Sequence, residues 1–195
     1  MLDKGGNPTT LIADAVAEYR ASGDVPRLLS RLRGITDDET VSTAALAAGV
    51  EPFRDIPEVA GPVYEAIVAR QPDNARALVI LANAYWLAGR GPAVVGALAS
   101  RAIDADPTNR GAWHLWALTA EALRERVVRW QQVAQRFPAD DLARAALADN
   151  AASLATTDDD PVALRLAIDT YTDLLGRAQS TPQRRALENA LRALK

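Results

Sequence analysis

The sequence contains no cysteine and a single histidine among its 195 residues. Without cysteine the chain has no disulfide, no thiolate metal ligand and no cysteine nucleophile. Long apolar runs are also missing, since no window reaches the roughly 18 apolar residues that a membrane-spanning helix requires. The first residues, Met1 to Pro8, lack the basic start and the apolar run of a signal peptide. We therefore expect a cytoplasmic protein.

Aromatic residues are scarce as well, at 5% of the chain, although hydrophobic residues make up 49%. Alanine, with 40 residues, supplies much of the difference. Because alanine is the strongest helix former and the β-branched and aromatic clusters of strands are rare, the composition favours an all-α protein.

Basic residues do not outnumber acidic ones, and the formal net charge is −3. This balance argues against a nucleic-acid partner, because such a partner requires a basic face that neutralises phosphates. Of the 22 basic residues, 20 are arginine. We interpret this bias as the composition of a GC-rich bacterial genome.

Apolar residues recur with the period of an α-helix along most of the chain. The spacing i, i+3, i+4, i+7 connects Leu78 to Tyr85 and again Trp113 to Ala120, which indicates helices with one apolar face. Prolines, glycines and acidic residues interrupt this pattern at short intervals. The pattern predicts helices at residues 8–21, 25–34, 38–48, 57–70, 74–88, 91–105, 108–122, 124–137, 140–154, 161–178 and 182–194.

A repeat of about 34 residues underlies these helices. Pro26, Pro57 and Pro92 are 31 and 35 residues apart and each opens the second helix of a pair, and Pro161 follows after 69 residues, close to two further periods. Proline is tolerated in the first turn of a helix, where its missing N–H would have no partner. A period near 34 with helix–turn–helix content indicates a solenoid of stacked helix pairs.

The best-preserved repeat resembles the tetratricopeptide repeat (TPR) family. Its matching residues are Leu78, Leu81, Ala82, Tyr85, Gly89, Leu98, Ala102 and Pro107. Weaker copies include Ile12 to Leu32 and Trp113 to Pro138. The resemblance implies a right-handed superhelical solenoid of four to five helix pairs. We expect one domain over residues 1–195, with a flexible segment at 1–7 and a capping helix at 183–195.

In the TPR family the first helix of each pair lines a concave groove that binds a partner. The resemblance therefore implies a binding groove in this chain, to which we assign Arg76, Asn83, Trp86, His114, Glu121 and Asp149. The best-known peptide clamp of the family uses two asparagines and several basic residues, of which only Asn83 is matched here. That specificity is not expected.

The residues with reactive or metal-binding side chains have better structural interpretations. Gly89-Arg90-Gly91 lacks the preceding strand and the third glycine of a dinucleotide-binding loop. His114 and Glu121, seven residues apart, are expected on one helix face, but two ligands do not complete a metal site. Trp113, Trp116 and Trp130 have the spacing of core residues. The sequence predicts no catalytic residue, cofactor or metal.

Three hypotheses follow. The first is a non-enzymatic scaffold that binds a protein or peptide in its groove. The second is a small enzyme or small-molecule sensor that uses the groove around Trp86, His114 and Glu121. The third is a structural role through self-association as a homo-oligomer. Fold-level similarity does not decide between them.

The far-ultraviolet circular dichroism spectrum of the purified protein is expected to be predominantly helical. The helical content should lie well above the roughly one-third found in average domains. A spectrum dominated by sheet would contradict the fold prediction.

Overall fold

The computed structural model describes residues 7–194, which form α-helices joined by short connections and contain no strand. The helices are α1 (Pro8–Ser22), α2 (Val25–Thr36), α3 (Thr43–Val50), α4 (Pro57–Arg70), α5 (Ala75–Leu87), α6 (Pro92–Ala105), α7 (Arg110–Leu118), α8 (Leu123–Arg136), α9 (Asp141–Asp158), α10 (Pro161–Arg177) and α11 (Thr181–Ala193). The all-α prediction is confirmed. Three helices differ clearly from the predicted bounds, since α3 begins at Thr43, α7 ends at Leu118 and α9 ends at Asp158.

Side-chain caps begin most of these helices. The capping residues that accept a hydrogen bond from a first-turn N–H are Asn7, Asp24, Ser42, Asn74, Asp140, Asp160 and Ser180. Each cap stabilises its helix by about 1 kcal/mol. Proline follows within the first turn of α2, α4, α6 and α10, as the repeat predicts. Apart from Asn7, the predicted flexible segment 1–7 lies outside the described residues.

The chain divides into two compact units, and the boundary between them follows Leu115. In the first unit α1 packs on α2 and α3, α4 packs on α2, α3 and α5, and α5 packs on α6. The fully buried large side chains of this unit are Ile12, Val16, Leu28, Leu32, Leu46, Val50, Val59, Val63, Ile67, Leu78 and Val95. The apolar stripe of each helix pair is thus covered by a neighbouring pair.

Two first helices of the first unit approach each other closely at a glycine. A Cβ atom on Gly49 of α3 would lie 2.8 Å from Ile12 Cδ1 and 3.2 Å from the backbone Cα of Thr9, both on α1. An alanine at this position would require the end of the Ile12 side chain to move and the backbone at Thr9 to shift by a few tenths of an ångström. The absence of a side chain at Gly49 therefore lets α1 and α3 pack closely without this adjustment.

Arg70, at the end of α4, holds the connection between α2 and α3. Arg70 Nη1 donates to the carbonyl oxygen of Val41 at 2.6 Å, and Nη2 donates to the carbonyl oxygens of Asp38, at 3.3 Å, and of Thr36. Carbonyls at a helix end have no intrahelical donor. Arg70 supplies that donor and attaches the loop to α4.

In the second unit α9 is central, because it packs on both α8 and α10. The buried apolar residues of this unit are Ala117, Ala120, Val127, Trp130, Val133, Ala143, Leu147, Ala148, Ala151, Leu154, Ala163, Ala167, Tyr171 and Leu174. Helix α11 packs on α10 through half-buried residues such as Leu187 and Leu191. Of the three tryptophans predicted in the core, Trp130 is buried, whereas Trp113 and Trp116 are half-buried.

Substitution of a buried alanine tests the helix packing. Ala82 and Ala117 are both 0% exposed. Ala82→Arg or Ala117→Arg is expected to lower the free energy of unfolding by about 3 kcal/mol or more, because it overpacks the contact and buries an unpaired charge. Urea denaturation followed by circular dichroism measures this loss.

The matched control is Gln183→Arg, since Gln183 is exposed on α11. It should change the stability little. Equally small effects at all three positions would show that the predicted repeat register is incorrect.

Candidate functional site

Helix α5 carries three of the predicted groove residues on one exposed side. Arg76, Asn83 and Trp86 are separated by seven and by three residues, so they lie along one side of the helix. All three are exposed, and Trp86 keeps 40% of its surface accessible. The opposite side of α5 is in the core, where Leu78 and Leu81 are buried. The local pattern therefore separates a packing side from a free side.

A depression of about 510 Å³ lies beside Arg76, between α3, α4 and α5. Arg76 Nη2 lies 3.6 Å from Glu51 Oε1, which is also 3.5 Å from Arg54 Nη1. Exposed ion pairs of this kind contribute little to stability. Arg76 can therefore exchange Glu51 for a carboxylate of a bound molecule at low cost.

The phenol of Tyr64 lines the same depression. Burial raises the pKa of Tyr64 above its ordinary value, and the nearby Glu51 carboxylate raises it further. The phenol is thus a stable hydrogen-bond donor at neutral pH.

His114 lies on α7, the first helix of the pair that follows α5 and α6. A Cβ on Gly111, one turn before His114, would lie 3.3 Å from Val79 Cγ1 of α5, so the two helices are in close contact there. His114 is half-buried. Within the first unit, Arg76, Asn83, Trp86 and His114 therefore lie on two adjacent first helices.

The expectation that Glu121 shares a helix face with His114 is wrong. Helix α7 ends at Leu118, and Glu121 lies in the connection to α8, where it is exposed. Arg126 Nε and Nη2 donate to the carbonyl oxygen of Ala120 at 2.9 and 2.8 Å. This guanidinium satisfies the carbonyl oxygen of Ala120, which lies in the connection beyond the end of α7.

A second arginine of α8 holds the end of α7. Arg129 Nη1 donates to the carbonyl oxygen of Trp116 at 2.7 Å, and its guanidinium lies 4.6 Å from the centre of the Trp116 ring. A cation placed over an aromatic ring in this way is attracted to its π-face. Arg126 and Arg129 thus act together to fix the connection between α7 and α8.

Asp149 lies on α9 in the second unit and has a partner there. Its Oδ1 accepts a hydrogen bond of 2.6 Å from the hydroxyl of Tyr171 on α10, whose side chain is buried. Burial, together with this bond and the carboxylate charge, raises the pKa of Tyr171 far above its ordinary value. Asp149 therefore stabilises the α9–α10 pair, whatever part it takes in binding.

Sequence reasoning did not identify two residues near the free side of α5. Leu87 is 59% exposed directly after Trp86, and Glu51 lies in a 3-10 turn after α3. The position of Leu87 is the signal that could have identified it, because it is a large apolar residue between Trp86 and the turn at Gly89. Glu51 carries no such signal, because its position beside Arg76 arises from tertiary packing.

Residues 7–194 contain neither a candidate metal cluster nor a candidate membrane span. They contain no group of three or more histidine, aspartate or glutamate side chains placed to hold a metal ion. Over the same range, each helix is too short or too polar to cross a bilayer.

No family model and no curated protein matches this chain. Solved structures match it over almost their full length. A crystal structure of MamA protein aligns with a TM-score of 0.60 at 15% identity and covers 91% of this chain and 98% of that one. A second, residues 41 to the end of MamA from Desulfovibrio magneticus RS-1, gives 0.59 at 14% identity and covers 90% and 99%.

A third match is TTC0263, a thermophilic TPR protein in Thermus thermophilus. It aligns with a TM-score of 0.55 at 19% identity and covers 94% of this chain and 98% of that one. The fold is TPR-like. The predicted resemblance is thereby confirmed for the fold, and α1 to α10 are five consecutive TPR-like helix pairs followed by α11.

Two tyrosines of this TPR-like fold predict how its stability depends on pH. Burial, with the 2.6 Å hydrogen bond to Glu65, raises the pKa of Tyr85 to about 12. Burial and the bond to Asp149 raise the pKa of Tyr171 in the same way. A raised folded pKa stabilises the protein below the unfolded value near 10, and this contribution is lost as the pH rises through the folded pKa.

The thermal midpoint is therefore expected to fall between pH 10 and pH 12, where unfolded tyrosine ionises and the folded phenols do not. In the double variant Tyr85→Phe, Tyr171→Phe the midpoint should be lower at pH 8 and should fall less over this window. Circular dichroism melts measure both effects. A wild type and a double variant with parallel pH profiles would contradict the coupling.

Proposed function

We propose that the protein is a non-catalytic TPR-like scaffold that binds a protein or peptide partner along the free side of its first helices. The observation that supports it most directly is Trp86, which is 40% exposed beside Leu87 at 59%. Large exposed apolar side chains that lie next to each other are typical of interaction sites. Tryptophan in particular is a favoured binding hot spot.

The surroundings of Trp86 suit a peptide with mixed chemistry. Asn83, one turn before it, is exposed, and an amide side chain both donates to and accepts from a peptide backbone. Arg76, two turns before Asn83, can form a charge-assisted hydrogen bond with a carboxylate. The depression beside Arg76 offers room for one side chain of the partner. An extended ligand that follows α5 would meet all three groups.

The alternative function as an enzyme or sensor receives less support. It requires Trp86, His114 and Glu121 to form one site, and Glu121 does not belong to the helix that carries His114. General acid–base catalysis needs a base within hydrogen-bond reach of the reacting group. The scaffold proposal includes a cytoplasmic location in a bacterium. Its partner is a protein or peptide and is neither nucleic acid nor membrane.

A pull-down from the native host, read by mass spectrometry, identifies the partner, and calorimetry then measures its affinity. The double variant Arg76→Ala, Trp86→Ala is expected to weaken binding about tenfold or more, because both groups are placed to contact the partner. Circular dichroism should show an unchanged fold, since both side chains are exposed.

The control is the double variant Val162→Ala, Arg165→Ala on α10, which also removes one exposed apolar group and one exposed arginine. It should bind as the wild type does. Loss of the partner in this control, with binding retained in the α5 variant, would place the interface on the second helices instead.

A further inference from the structure

A larger depression in the first unit lies between the second helices α4 and α6, with α5 as its floor, and is called here the α4–α6 trough. Its volume is about 770 Å³. Glu65, Tyr85 and Arg101 are the polar side chains of its lining, and the remaining lining residues are alanine, valine, leucine and proline. This volume falls within the roughly 300 to 1,000 Å³ of small-molecule sites, and the lining is mostly apolar with few polar groups, but the trough is shallow and open to solvent.

The trough is open because alanines form much of its walls. Ala69 on α4 and Ala93 and Ala97 on α6 are exposed to it, and Val94 beside them is 45% exposed. From Val94 to Arg101 the α6 wall extends for about two helical turns, or roughly 10 Å. A ligand with an apolar body of similar length would cover Val94 and contact the buried floor.

The two ends of the trough differ in charge. Arg101 Nη2 donates to the carbonyl oxygen of Pro72 at 3.1 Å, and within residues 7–194 its guanidinium has no carboxylate partner. At the other end Glu65 already accepts the hydroxyl of Tyr85, whose ring lies under the Arg90 guanidinium at 4.8 Å. Glu65 keeps its negative charge, but its Oε1 is already engaged by the Tyr85 hydroxyl. Arg101 has further N–H donors beside the one bonded to Pro72, so a ligand carboxylate would meet its cation at the Arg101 end of the trough.

We propose that the α4–α6 trough binds a small amphipathic carboxylate, with its head group on Arg101 and its apolar body over Leu81 and Leu98. The planar guanidinium forms charge-assisted, bidentate hydrogen bonds with a carboxylate. Its contact with Pro72 holds it at the mouth of the trough. Removal of the apolar body from water supplies the remaining affinity. This site is separate from the free side of α5.

Titration calorimetry of the full chain tests the proposal with two probes of equal chain length and opposite charge, octanoate and octylammonium. Both are used below the concentrations at which they form micelles. Octanoate is expected to bind with one molecule per chain and about tenfold more tightly than octylammonium. Arg101→Gln should abolish this preference. Arg165→Gln, which removes an exposed arginine on α10, should preserve it.

Ala97→Phe fills the trough from an exposed position and should weaken octanoate binding about tenfold, with an unchanged circular dichroism spectrum. The proposal is overturned if octanoate does not bind, or if octylammonium binds as tightly. It is also overturned if neither Arg101→Gln nor Ala97→Phe alters binding. Light scattering that shows a dimer in the wild type and a monomer in Ala97→Phe, without octanoate binding, would assign the trough to a second copy of the chain.

Discussion

Close approach of helices at residues with little or no side chain is the constraint on which this structure depends. Gly49 allows contact between α1 and α3, Gly111 allows contact between α5 and α7, and Ala82 lies fully buried. Such contacts keep the helix pairs close, but each small residue removes little apolar surface from water. The stability of the array must therefore come from many modest contacts and from polar groups that fix the connections between helices.

Arginine side chains provide many of the polar contacts that fix the connections between helices. Arg70, Arg126 and Arg129 each donate to carbonyl oxygens at or beyond a helix end. One guanidinium carries five donors, so it can satisfy several carbonyls at once, and lysine cannot reproduce that geometry. We interpret the arginine bias as a property of the genome, but at these positions arginine also has a structural role. The same property leaves Arg101, with one donor engaged by Pro72, available for a further acceptor.

The sequence predicts the parts of the fold that are encoded locally. Asp24, Asn74 and Asp160 cap helices where the pattern places their starts, and the helix period separates Trp86 from the core. The apolar pattern does not predict the early end of α7, and the carbonyl oxygen of Ala120 beyond that end takes its donor from Arg126 in the next helix. The α4–α6 trough is likewise absent from any local pattern, since Pro72 and Arg101 lie 29 residues apart in the chain.

Helix α11 differs from the other α-helices in the described part of the chain because none of its side chains is fully buried. In an array of nearest-neighbour contacts a terminal element is held by one interface, here with α10. Opening of α11 thus exposes little apolar surface, and the contact that it mainly breaks is the one with α10. Its amide hydrogens should exchange with solvent through local fraying, at a lower free energy than those of α9. We therefore expect unfolding of the second unit to begin from this end.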